Sequence, residues 1–304
     1  MIDYRAQLTW QPKVEGPPPA APKRVVVGAM GGSALAGYAA GFVDESREVR
    51  VHESYDEPKF ESEDTLYIAV SYSGNPEETL SFAHAVQERR LPLTCVASGG
   101  KLAEFAQKVG VPLITVPSGE QPRNSLVYML RAILKLLGNE ALLKECESIE
   151  LDEQSISAQA QKLAEQMHEK IPVIYTPARA EVAGRIWQAQ LNESAKVPAF
   201  MRVVPASNHF DLEAYDSPLK EHLLPLFIHD PEGDPRVEKR LSVLEEFLGE
   251  RGVKGARVEL QGASALEACV HTWVLAIHTA HACAKARGVD PNKLLFVESF
   301  KKRL

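Results

Sequence analysis

Residues 65–74, TLYIAVSYSG, are followed at 75–90 by NPEETLSFAHAVQERR and at 91–98 by LPLTCVAS. An apolar run, a helical pattern opened by Asn75 and Pro76, and a second apolar run make one strand-helix-strand step, the unit that builds a parallel sheet. Similar runs stand on either side, RVVVGAM at 24–30, EVRVHES at 48–54 and VPLITVPS at 111–118. The strand pattern lapses at about Ser125, where LVYMLRAILKLLGNEALLKE and a polar stretch to about Lys170 read as successive helices. It resumes with IPVIYTP, FMRVVPAS, LLPLFIHD and ARVELQG, and the longest helical stretch runs from about Ser264 to Arg287. The class is therefore α/β, with two doubly wound parallel-sheet domains that look like a structural duplication. The expected organisation is an N-terminal segment at 1–22, a first α/β domain at 23–150, a second at 151–287 and a C-terminal helix within 288–304. Gly288 is the stop signal before that helix and Pro291 its opening.

Around this frame, 304 residues with 45% hydrophobic and 25% charged residues suffice for two buried cores. A formal net charge of -7, with only the three charges of the basic end FKKRL in a row, argues against a nucleic-acid partner and for a small molecule. No apolar stretch is long enough to span a membrane, and the Pro-rich start EGPPPAAP is not a signal core. Cys95, Cys146, Cys269 and Cys283 form no CxxC pair and read as reduced, mostly buried thiols, which points to the cytoplasm.

Chemistry concentrates at the strand-to-helix crossings. Ser71, Tyr72, Ser73 and Gly74 end a strand, Asn75 is a preferred N-cap, and Pro76 a preferred first helical residue. Unpaired amides, a positive dipole end and two hydroxyls suit a phosphate dianion, whereas an ordinary capped turn is the plain alternative. The earlier loop VVVGAMGGSALAG places Met30 where a dinucleotide fingerprint needs glycine, so a nucleotide is disfavoured. Gly31 and Gly32 allow close backbone approach there, and Ser33 suits a helix cap or a sugar hydroxyl. Arg123, at a third crossing, suits an oxyanion or a solvated helix start. In the second half Glu193 lies in a helical pattern and His209 at a strand end, where they suit a base and an acid or else plain surface groups. His271, His278 and His281 share one long helix but read as a partly buried face, not a metal site.

GAMGGSALAG, SYSGNPEETL, PRNSL, LNESAK, SNHFD and ESFKKRL occur in that order from residue 28 to the C-terminus. The chain thereby resembles the bifunctional phosphoglucose/phosphomannose isomerases of the sugar-isomerase (SIS) fold. The resemblance implies that Gly32, Ser33, Ser71 and Ser73 hold the phosphorylated sugar and that Arg123 stabilises an enediolate. It further implies Glu193 as the base between C2 and C1, with His209 and Lys301 assisting ring opening. A homodimer with His209 contributed across the interface is implied as well, with no metal or redox cofactor. Such an enzyme interconverts glucose and fructose 6-phosphates within central carbohydrate metabolism, and a non-catalytic sugar-phosphate sensor is the alternative. Two departures bear on this: Pro76 stands where the family usually has Thr, and 290–300 lack the Thr associated with the mannose epimer. Weaker phosphate binding is expected, and acceptance of mannose 6-phosphate stays open.

Overall fold

The computed structural model describes residues 2–19, 22–55, 64–301 and 303, in two compact units, Met1–Glu150 and Leu151–Leu304. The first unit runs α1 (Tyr4–Thr9), β1 (Arg24–Ala29), α2 (Ala34–Val43), β2 (Glu48–His52), β3 (Thr65–Ser71), α3 (Glu77–Glu88) and β4 (Leu93–Ala97). It continues with α4 (Gly100–Val109), β5 (Leu113–Thr115), α5 (Leu126–Leu136) and α6 (Glu140–Ser148). All pairings are parallel, in the order β2-β1-β3-β4-β5. Val25, Val27, Leu66, Ile68 and Val70 are buried because helices cover both faces of the sheet. Central strands of this kind therefore read as unbroken apolar runs and do not alternate.

Residues 2–19 are built into this unit. Glu15 exchanges backbone hydrogen bonds with Leu113 at 2.8 and 3.0 Å, which covers the edge left by β5. Behind it, Arg131 of α5 is fully buried and donates to the carbonyls of Trp10 (2.6 Å), Leu8 (2.7 Å) and Leu143 (2.9 Å). Such a guanidinium is admitted to a core because these carbonyls, with the Glu147 carboxylate at 3.2 Å, satisfy its fork of donors. The side chain of Gln7, also buried, donates to the Asn124 carbonyl at 2.7 Å and so ties α1 to the short turn carrying Arg123.

The second unit runs α7 (Glu153–Gln166), β6 (Ile171–Pro177), α8 (Glu181–Glu193), β7 (Phe200–Val204), β8 (Leu223–His229) and α9 (Pro235–Glu250). It ends with β9 (Ala256–Glu259), α10 (Ala265–Ala286) and α11 (Leu295–Lys301). Its parallel order β7-β6-β8-β9 repeats that of the first sheet without the fifth strand. Both orders leave a switch point between the first and third strands of their sheet, where a ligand crevice opens at the carboxyl ends. The 22-residue α10 is apolar nearly all round, with Trp273, Val274 and Ala276 buried, because it packs against both α7 and α8. α11 starts at Leu295, four residues after Pro291, and buries none of its residues.

Candidate active site

The first unit gathers its predicted residues at the carboxyl edge of its sheet. Ser71, the last residue of β3, is buried, and its Oγ accepts from the Gly74 amide at 3.0 Å. Ser33 is buried too, but it does not cap its helix. Its Oγ accepts from the Tyr72 amide at 3.0 Å, joining the first glycine loop to the serine loop. A hydroxyl has one proton and two acceptor sites, so each of these serines spends acceptor capacity on the scaffold and still has an O–H to donate. Ser73 is exposed.

Asn75 and Pro76 differ from the expectation. Pro76 occupies the cap position of α3, and the Asn75 side-chain oxygen turns away to the Lys101 amide, 3.4 Å distant, at the start of α4. The neighbouring crossing drew it there, a partner invisible in local spacing. The amides of the first turn of α3 still point beyond the helix, and its dipole end is intact.

Backbone crowding makes this loop a fixed object. Gly74 has φ +72°, and a Cβ there would lie 1.9 Å from the Gly99 carbonyl oxygen. Only glycine combines that conformation with that approach. The Ser98 amide and hydroxyl both donate to the Tyr72 carbonyl, at 2.9 and 2.6 Å. Tyr72 in turn donates its hydroxyl to the Pro117 carbonyl at 2.9 Å and accepts from the Glu120 amide at 3.0 Å. The sequence gives no local sign of the role of the Tyr72 ring hydroxyl or of Ser98 and Gly99, although the string SGGK after β4 is itself a strand-to-helix glycine turn.

Arg123 sits on the 3₁₀ turn Pro122–Asn124 and is 1% exposed, which removes the solvated helix-start alternative. At Gly32 an added Cβ would lie 2.5 Å from the Arg123 amide nitrogen, so glycine is the residue that lets this turn close on the first loop. Gly32, Ser33, Ser71 and Arg123 are thus brought together through shared backbone contacts.

In the second unit, Glu193 is the last residue of α8, half-buried, lining a cavity of about 360 Å³ with Asn192, Lys196 and Leu294. Asn192 locks the loop beyond it, accepting from the Ala199 amide at 2.8 Å and donating to its carbonyl at 3.4 Å. His209 ends the 3₁₀ turn Ala206–His209 after β7 and is exposed, as is Phe210 at 67%. The loop rests on a polar floor. Asp211 pairs with Arg202 at 3.3 Å, and Tyr175 donates to the Tyr215 hydroxyl at 3.1 Å. Burial pushes the Asp211 carboxyl up against the pull of Arg202, and pushes the Tyr215 phenol up to about 12. Lys301 ends α11, exposed; Lys302 and Leu304 of the basic end lie outside the described residues.

Among the described residues no cluster of His, Cys, Asp or Glu is placed to hold a metal ion, and burial lowers His271 and His278 toward the neutral form. All four cysteines are free and buried. Among the described residues no helix is long and apolar enough to cross a membrane.

Residues 156–304 match the family model described as bacterial phospho-glucose isomerase C-terminal SIS domain. Over 291 residues the chain is 33% identical to a bifunctional phosphoglucose/phosphomannose isomerase of Aquifex aeolicus, covering 93% of this chain and 90% of the relative. It is also 31% identical over 205 residues to a D-glucosamine-6-phosphate 4-epimerase of Sulfolobus acidocaldarius, covering 66% of each. Among solved structures, the C-terminal domain of glucosamine-fructose-6-phosphate aminotransferase from Francisella tularensis aligns with a TM-score of 0.64 at 16% identity. That alignment covers 90% of this chain and 87% of the other, a likeness of fold.

Proposed function

Because the chain belongs to the bifunctional phosphoglucose/phosphomannose isomerase family, we propose that it interconverts glucose 6-phosphate and fructose 6-phosphate, with mannose 6-phosphate as a further substrate. The observation that carries this reading is the serine loop, pinned on three sides, with Ser71 and Ser33 keeping their hydroxyl protons and the buried Arg123 held against Gly32. Preformed donors beside a helix N-terminus bind a phosphate without reorganising.

In this reading Ser71, Ser73, Ser33 and Gly32 hold the phosphorylated sugar. Glu193 takes the proton from C2 and returns it at C1, electrons move into the carbonyl, and Arg123 faces the enediolate oxygen that gains charge. His209 and Lys301 move protons at the ring oxygen and the anomeric hydroxyl when the cyclic sugar opens. No step calls for a metal or a redox cofactor. The exposure of His209 and Phe210 supports a homodimer in which this loop reaches a second copy. Four buried free thiols fit a cytoplasmic setting. Pro76 supplies no hydroxyl, so the phosphate relies on the serines and amides.

A coupled assay with glucose, fructose and mannose 6-phosphates tests the proposal, with glucosamine 6-phosphate as the fourth arm because of the 4-epimerase relative. Turnover of glucose and fructose 6-phosphates is expected. Binding of all four without turnover would make the protein a sensor, and turnover of glucosamine 6-phosphate alone would move it to aminosugar chemistry.

A further inference from the structure

We infer that Lys196 is a positioning residue, a strap that ties the end of the Glu193 helix to the segment carrying Lys301. The inference rests on the isomerase reading for its functional half and on geometry for the other. Lys196 follows α8 with φ +55°, in the left-handed region where helix ends ordinarily place glycine or asparagine. A lysine there is strained by its Cβ, but Arg90 and Glu169 take the same conformation at φ +56°, so the backbone alone assigns no role and the side chain's contacts carry the inference. Nζ folds back to donate to the carbonyl of Glu193 and donates again to the carbonyl of Lys293 at 2.6 Å.

The first contact places an ammonium on a last-turn carbonyl, at the negative end of the helix dipole. The second reaches across 97 residues to the chain just before α11. α11 has seven residues, none buried, with Leu295, Phe296 and Phe300 at 68%, 92% and 64% exposure. A helix that short does not hold itself in water. Within the second unit, the Lys293 carbonyl is therefore one hold on where α11 starts, and the same ammonium contacts the backbone of Glu193. One cation thus fixes, at its two ends, the proposed base and the start of the element bearing the proposed ring-opening lysine.

Two substitutions separate a strap from a structural cap. Lys196→Met keeps the side-chain length and the strained backbone but loses the donors; Lys196→Gly loses the donors and relieves the strain. Both are compared with wild type for isomerase kcat and KM, thermal midpoint, and amide hydrogen exchange across 294–301. The strap predicts that both variants lose about tenfold in kcat with KM within about twofold, because misplacement of catalytic groups acts on the chemical step. It also predicts at least about tenfold faster exchange in 294–301 for both, although Lys196→Gly melts above Lys196→Met.

Recovery of wild-type kcat in Lys196→Gly would reduce the lysine to a backbone device and overturn the inference. Unchanged exchange in 294–301 would overturn it whatever the activity, and faster exchange with unchanged kcat would refute the link to catalysis. A wild type inactive on every hexose 6-phosphate would sink the isomerase reading instead, and the exchange measurement would still decide the strap.

Discussion

Gly32→Ala is the sharpest perturbation of the proposed phosphate-binding group in the first unit. The added methyl would lie 2.5 Å from the Arg123 nitrogen, 2.9 Å from the Pro122 carbonyl carbon and 3.0 Å from the Arg123 Cα. All three are backbone atoms, so no side-chain rotation relieves the overlap. Restoring ordinary contact at 3.4 Å moves the 3₁₀ turn by about 0.9 Å, the difference between 3.4 Å and the 2.5 Å approach. Overpacking of this kind costs about 1–3 kcal/mol, which at about 2–4 °C per kcal/mol lowers the melting temperature by about 2–12 °C. A displacement near 1 Å of a catalytic group costs about a hundredfold in rate. The expected result is therefore a loss of about a hundredfold in kcat/KM on glucose 6-phosphate, far beyond what a partly destabilised but folded enzyme shows.

Gly31→Ala is the matched comparison. Gly31 has φ +52° with nothing within 4 Å of its Cβ position, so alanine there meets backbone strain and no neighbour. The strain is about 1–2 kcal/mol, a similar loss of stability with kcat/KM expected within about threefold of wild type. Equal activity losses in the two variants, or wild-type kcat/KM in Gly32→Ala, would refute the claim that the close approach at Gly32 places Arg123.

Arg131→Met leaves buried carbonyls of Leu8, Trp10 and Leu143 without their donor and should lower unfolding free energy by about 3–5 kcal/mol, read as a fall in the urea midpoint. Ser73→Ala should raise KM for glucose 6-phosphate about fivefold, one lost hydrogen bond, with kcat little changed because the phosphate is remote from C1 and C2. His271 and His278 supply a pH test: burial holds both below the ordinary 6.5, against the weaker pulls of Glu267 and Glu153. The folded state then binds fewer protons than the unfolded one, so their contribution to stability is lost as pH falls through 6.5 toward the lowered folded values. The double variant His271→Leu/His278→Leu should accordingly show a flatter melting temperature between pH 7 and 5 than wild type.

What the sequence made legible was whatever is periodic or local. Each of the nine strand runs lies where a strand forms: central strands such as β3 and β4 are covered on both faces and need an apolar run, whereas the edge strand β9 buries only alternate residues. The serine loop, the first glycine loop and Arg123 stood out as strand-to-helix crossings, and the fold brings them to one edge. Contacts between crossings were illegible. Neither Ser33 reaching the Tyr72 amide nor Asn75 leaving its own helix for Lys101 can be seen without knowing that their loops are neighbours. Nothing local marks the role of Arg131, whose three carbonyl partners come from segments on either side of it in the chain. Lys196 was equally illegible, since neither its left-handed backbone nor a carbonyl 97 residues away has a local signature.

Solvent-deuterium exchange at C2 of glucose 6-phosphate, measured by proton NMR on wild type, Glu193→Gln and Glu246→Gln, tests the central claim most directly. Glu246 lies exposed on α9 with no ion pair among the described residues and serves as the control carboxylate. The account predicts exchange in wild type and Glu246→Gln, and a loss of about a hundred- to ten-thousand-fold in Glu193→Gln, with sugar-phosphate binding within about twofold because the amide keeps the carboxylate's shape. Exchange at the wild-type rate in Glu193→Gln would contradict it.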